Sequence, residues 1–150
     1  MDKLSYTSKK FNQLSTGELY EILNLRQEIF VVEQDCPYID TDYKDQDAIH
    51  IMGRDNDGKL HAYARVIPVG ISYEGYASIG RVITSAAYRG KGEGRHLMQA
   101  SIDMAKDLDW NPLKLSAQVY AIPFYKRLGF EPVGEEYLED NIPHIAMIRE

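Results

Sequence analysis

Residues 89–95 read Arg-Gly-Lys-Gly-Glu-Gly-Arg, three glycines alternating with charged residues where the apolar pattern changes from strand-like to helical. Upstream, 76–84 reads as a strand. Downstream, from Gly92 to Asp109, Leu97, Met98, Ile102, Ala105 and Leu108 recur at helical spacing. A chain with this junction must turn tightly out of a strand and into a helix. The glycines let the backbone bend and present its N–H groups without Cβ obstruction, and the helix adds about half a positive charge at its start. Arg89, Lys91 and Arg95 add cations to a chain whose formal net charge is −6. A diphosphate is the natural guest of such an anion cradle. The plain alternative is a glycine-rich turn with solvated cations. The order of residues fits neither the G-x-x-x-x-G-K-[ST] loop of nucleotide hydrolases nor the G-x-G-x-x-G dinucleotide fingerprint with its later acid.

The flanking segments follow from periodicity. Ser15 with Glu18 makes a capping-box pattern, and Leu19, Ile22, Leu23, Ile29 and Phe30 predict a helix over 16–30. Residues 31–47 carry Glu33, Asp35, Asp40, Asp42, Asp45 and Asp47 against one lysine and read as a long acidic loop or a broken helix. Residues 48–54 and 59–69 read as strands joined through Asp55-Asn56-Asp57-Gly58, whose Asp-Gly pair supplies the left-handed turn residue. The strand at 76–84 completes a meander. The principal helix ends before Asn111-Pro112, and a strand over 113–119, a short helix over 123–128 and two strands around Asn141-Ile142-Pro143 follow.

Bulk properties exclude several classes of function. The chain has 150 residues, 44% hydrophobic and 27% charged, which suits one domain over 1–150 with a real core. Its negative charge argues against nucleic acid and anionic membranes as partners. The start, Met1-Asp2-Lys3-Leu4-Ser5-Tyr6, lacks an apolar targeting segment, and no stretch reaches the ~18 apolar residues of a membrane span. A soluble cytoplasmic protein is expected. The single cysteine, Cys36, cannot close an intrachain disulfide, and with no histidine near it in sequence it reads as a small packed residue rather than an acyl-carrying nucleophile. His50, His61, His96 and His144 lack ligand spacing, so no metal is expected. The acidic stretch could attract a cationic amine, but charge runs are usually solvated faces.

Two ordered blocks carry a family resemblance. Ile79-Gly80-Arg81-Val82-Ile83-Thr84 followed by Tyr88-Arg89-Gly90-Lys91-Gly92-Glu93-Gly94 resembles motif A of the GNAT (Gcn5-related) N-acetyltransferases, with Arg89, Gly92 and Gly94 at the [QR]-x-x-G-x-[GA] positions. Ala121-Ile122-Pro123-Phe124-Tyr125-Lys126-Arg127-Leu128-Gly129-Phe130 resembles motif B. The segments 30–38 and 139–145 further resemble the ElaA-like branch, so the likeness covers nearly the whole chain. The resemblance implies a mixed α/β, acyl-CoA N-acyltransferase fold with a mainly antiparallel six- to seven-stranded sheet flanked by helices. It also implies that the strands at 76–84 and 113–119 splay apart, leaving backbone groups for the amide-rich arm of CoA. Backbone groups of Val82, Ile83 and Thr84 would hold that arm. Those of Arg89, Gly90, Lys91, Gly92, Glu93, Gly94 and Arg95 would hold the pyrophosphate, with Phe124 beside them. Gln118 stands where the family often has asparagine, and its amide can make a similar contact.

The implied chemistry is transfer of an acetyl group from acetyl-CoA to a primary amine, which could be a small molecule, polyamine-like or part of a peptide. Attack on a thioester needs a free amine, a stabilised oxyanion and a proton for the leaving thiolate. Tyr125 takes the donor role by resemblance, its alternative being to pack beneath the cofactor. A glutamate common on the strand before motif A is missing, since that strand offers Ser78, Gly80 and Arg81. Glu33 and His144 are the candidate bases, against a solvated and a structural role respectively. The missing carboxylate keeps open a second reading, a non-catalytic acetyl-CoA sensor or interaction module. A third is a nucleotide-phosphate binder using the same turn. Homodimers are common among proteins that look like this one.

Overall fold

The computed structural model describes residues 3–150; Met1 and Asp2, the first residues of the start read above, lie outside the described residues. Seven strands form one sheet: β1 (Ser5–Lys10), β2 (Ile49–Arg54), β3 (Leu60–Ile67), β4 (Ala77–Thr84), β5 (Leu113–Gln118), β6 (Glu131–Glu139) and β7 (Ile142–Arg149). Their spatial order is β1-β2-β3-β4-β5-β7-β6. Every neighbouring pair is antiparallel except β4 with β5. The helices are α1 (Thr16–Arg26), α2 (Glu93–Asp107) and the short α3 (Ile122–Lys126).

Local chemistry explains these elements. The Asp55 carboxylate accepts the N–H groups of Asp57 and Lys59, both at 2.9 Å, and Gly58 takes φ 84, so the β2–β3 hairpin closes where its turn residues allow. At α1 the Ser15 hydroxyl accepts the Glu18 N–H at 3.0 Å, and Glu18 returns the favour to the Ser15 N–H at 2.8 Å. The helix expected over 16–30 stays α-helical only to Arg26. It then widens into a π-helix over Gln27–Glu33, in which Ile29 O accepts the Gln34 N–H. Such widened turns re-aim side chains and recur beside functional sites.

The sheet is covered on both faces, which is why all eight residues of β3 are buried. Alternation divides them. Ala62, Ala64 and Val66 join Leu97, Met98, Ile102 and Ala105 of α2 in the larger core. Tyr63, and Leu60 beyond the register shift at Gly53/Arg54, join Ile22 and Leu25 of α1, with Met52 and Ile83, in the smaller one. Each large apolar side chain so buried contributes about 1.5–3 kcal/mol. Among the described residues no helix is long and apolar enough to cross a membrane.

Candidate active site

The glycine-rich turn takes the shape its residues permit. Gly90 (φ 72) and Gly92 (φ 82) lie in the left-handed region, where a Cβ would be strained. Gly92 is the N-cap of α2 and supplies no side-chain cap, so the first N–H groups of the helix lack an intrahelical partner and face out of its positive end. Glu93, in the first turn of α2, is buried, and the Tyr6 hydroxyl lies 3.5 Å from its carboxylate and 3.4 Å from its carbonyl. Burial, with the Glu93 charge, pushes the Tyr6 hydroxyl far above its ordinary range. A Cβ on Gly94 would stand 3.6 Å from the Phe124 ring, so the turn and α3 share a wall. Arg89 donates to the Thr84 carbonyl at 3.1 Å, and Lys91 to the Ala87 carbonyl at 3.1 Å. Arg95 is exposed.

Next to this turn the sheet opens. β4 and β5 pair only at Ala77↔Leu113 and Ser78↔Lys114. Further along, β4 stays with β3 to Ala62↔Thr84 and β5 with β7 to Gln118↔His144. The facing edges of β4 and β5 therefore diverge and offer backbone groups to a third chain. A bulge helps the divergence, with Arg81 at φ 52 where the β3–β4 register shifts between Tyr63 and Arg65.

A cavity of about 510 Å³ lies over the slot, lined among others by Gly80, Arg81, Val82, Ser116, Gln118, Tyr125 and His144. Of the three residues expected to hold the CoA arm, Val82 lines the cavity, Ile83 sends its side chain into the smaller core and Thr84 is half-buried. Tyr125 packs edge-on against Phe124 at 5.0 Å and Phe130 at 6.0 Å. Burial, with Tyr120 nearby, pushes its hydroxyl up to about 12. His144 is 6% exposed; its Nδ1 lies 2.7 Å from the Ile142 carbonyl, which only accepts, so Nδ1 carries a proton and, in the neutral ring, Nε2 holds the lone pair. Nε2 faces Glu139 Oε2 at 3.4 Å, and the ring stacks on Tyr137. The structure thus brings Tyr125, His144 and Gln118 to one cavity. Glu33 stands apart: it is exposed on the π-helix, absent from the lining and ion-paired with Arg89. Cys36, expected as a packed residue, is instead only partly buried on the cavity wall. No local pattern in the sequence marks Glu139, because only strand register carries it to His144.

Within the acidic stretch, Asp40, Asp42 and Asp45 pair with arginines of the fold, while Glu33, Asp35 and Asp47 are exposed. Arg26 binds Asp40 at 2.6 Å and Asp45 at 2.7 Å; Arg65 binds Asp42 at 2.5 Å and Asp45 at 3.0 Å; Arg81 binds Asp40 at 2.8 Å. Burial alone would raise the Asp42 and Asp45 carboxyls, but hydrogen bonds and charge from Arg65 and Arg26 outweigh it and hold both below the usual carboxylate range. His50 is buried between the Tyr63 hydroxyl at 2.6 Å and the Asp45 carbonyl at 2.8 Å, and His61 bonds Ser85 at 2.8 Å and Asp55 at 2.9 Å. Among the described residues no group of three side chains is arranged to hold a metal.

Comparison with known proteins agrees with this geometry. Residues 38–150 match the model of the acetyltransferase (GNAT) domain family. ElaA of Escherichia coli is 45% identical over 143 residues, covering 93% of this chain and 92% of ElaA. The crystal structure of E. coli ElaA is similar with a TM-score of 0.90 and 41% identity, over 98% of this chain and 99% of that one. The crystal structure of an acyl-CoA N-acyltransferase from Pseudomonas aeruginosa gives a TM-score of 0.91 and 45% identity over 98% and 99% of the two chains.

Proposed function

This chain belongs to the GNAT acetyltransferase family, and from that premise we propose that it moves the acetyl group of acetyl-CoA onto a primary amine by direct attack. One observation supports this most: the uncapped start of α2, formed at Gly92, lies at the end of β4, the strand that parts from β5 under a cavity containing Tyr125. A molecule with a diphosphate at one end, amides in its middle and a thioester at its tip matches those three features in order.

The residues divide the chemistry as follows. N–H groups of the 89–95 turn bind the pyrophosphate, and backbone groups of Val82, Ile83 and Thr84 with the Gln118 amide bind the arm. An alkyl amine, with a pKa of about 10.4, is mostly protonated at neutral pH and must lose a proton before it attacks. His144 Nε2, an acceptor in the neutral ring, takes that proton, while Glu33 is engaged by Arg89. A backbone N–H near Ile83 meets the developing oxyanion, and Tyr125 protonates the departing thiolate. Residues 1–150 act as one catalytic domain, in the cytoplasm, where the lone Cys36 stays reduced.

Thiol release from acetyl-CoA, followed against a panel of small amines, polyamines and lysine peptides, tests the proposal. Amine-dependent release is expected. Tight CoA binding with no release for any amine would favour the sensor reading, whose support is that β4 offers Ser78, Gly80 and Arg81 but no carboxylate at the slot.

A further inference from the structure

At one end of the cavity the His144 ring and the Glu139 carboxylate face each other. With Nδ1 donating to the Ile142 carbonyl, Nε2 of the neutral ring holds a lone pair, and Glu139 Oε2 stands 3.4 Å from it. A lone pair and a carboxylate at that distance repel unless a proton or a cation joins them. The Glu139 side chain is 51% exposed and, among the described residues, has no lysine or arginine in its ion pairs. It differs in this from Asp40, Asp42 and Asp45, which arginines already neutralise. Glu139 is also held in place: its other oxygen accepts from Ser116 Oγ at 3.4 Å, and Ser116 is bonded to the Tyr137 hydroxyl at 2.5 Å. The Tyr137 ring in turn stacks on His144, and Tyr73 on the cavity wall feels the charge of Glu139.

We propose that His144 Nε2 and the Glu139 carboxylate together seat the ammonium group of the acceptor, so that the enzyme selects aliphatic amines that arrive protonated. The proposal rests on the acetyl-transfer reading. An ammonium has three N–H donors and a full charge; it can give one hydrogen to Nε2 and another to Oε2. One proton then passes from nitrogen to Nε2, leaving a free amine and an imidazolium that Glu139 neutralises. The amine nitrogen bonds to the acetyl carbon and the C–S bond breaks, its electron pair leaving with sulfur. Sulfur takes the Tyr125 proton, the second proton lost by nitrogen restores Tyr125, and the imidazolium returns its proton to water.

Steady-state kinetics with n-butylamine, a protonated alkyl amine, and aniline, neutral at pH 7, test this. The wild-type chain is expected to prefer butylamine. In Glu139→Gln the KM for butylamine should rise at least tenfold, with the KM for acetyl-CoA unchanged and Glu139→Asp recovering part of the loss. An unchanged butylamine KM in Glu139→Gln overturns the proposal, as does a wild-type preference for aniline, which needs no folded variant. Absence of thiol release by the wild type with every amine would overturn the acetyl-transfer reading and this proposal with it.

Discussion

Tyr125 and Gly92 are single residues whose roles can be separated by what each variant leaves intact. The Tyr125 hydroxyl, pushed up to about 12, stays protonated at neutral pH and so has a proton to give. Tyr125→Phe is expected to lower turnover about a hundredfold or more while acetyl-CoA affinity holds, because the ring still packs on Phe124 and Phe130. Equal turnover in steady-state assays would remove Tyr125 from the mechanism. Gly92 has φ 82 and open space within 4 Å of the place a Cβ would take. Gly92→Val should therefore cost about 1–2 kcal/mol in backbone strain and also fill the cradle, abolishing CoA binding in calorimetry. Gly58 has φ 84 and equal open space in the β2–β3 turn, so Gly58→Val is the control: similar strain, normal CoA binding. If the two variants bind CoA alike, the phosphate lies elsewhere. Both positions were legible because each sits within a contiguous motif whose chemistry is local. Glu139 was not, since its partner His144 reaches it through the β6–β7 pairing Glu139↔Ile142 and the turn between those strands.

The segment from the π-helix to β2 shows what an element gains from charges that a sequence displays only as a run. Asp40, Asp42 and Asp45 tie this segment to Arg26 at the end of α1, Arg65 on β3 and Arg81 on β4, and so fix one wall of the cavity. Asp45→Asn leaves Arg26 and Arg65 short of a buried counter-charge and should cost about 3–5 kcal/mol in urea unfolding. The sign with pH follows from the depressed folded pKa of Asp45. Its contribution is complete above the unfolded value of about 3.9 and disappears as pH falls through the lower folded value. Stability of the wild type should thus drop on acidification below about pH 4 more steeply than that of Asp45→Asn; parallel pH profiles would contradict the buried pairing. Elements with strong local signals, such as the hairpin around Gly58 and the amphipathic α2, were readable in advance. β1 was not: it is an edge strand of mostly exposed residues, Ser5–Lys10, whose strand character comes from pairing with β2.

At the scale of the whole molecule, an open slot between β4 and β5 is an incomplete sheet that a bound co-substrate would complete. A ligand that binds only the folded state at a hundred times its Kd adds about 2.7 kcal/mol, or roughly 5–10 °C of Tm for a chain of this size. Acetyl-CoA should produce such a shift in a thermal melt and ATP should not. A larger shift with ATP would favour the nucleotide-binding reading. The family, the strand-turn-helix junction and the motif positions were determined by the sequence alone, because each depends on residues adjacent in the chain and on preferences that backbone sterics and periodicity impose locally. Tertiary structure alone decided that Asp40, Asp42 and Asp45 meet Arg26, Arg65 and Arg81, that Glu33 pairs with Arg89 and that Glu139 meets His144. Those pairings join residues far apart in sequence, and strand register and the course of a loop, not local preference, set which charges come within a hydrogen bond of one another.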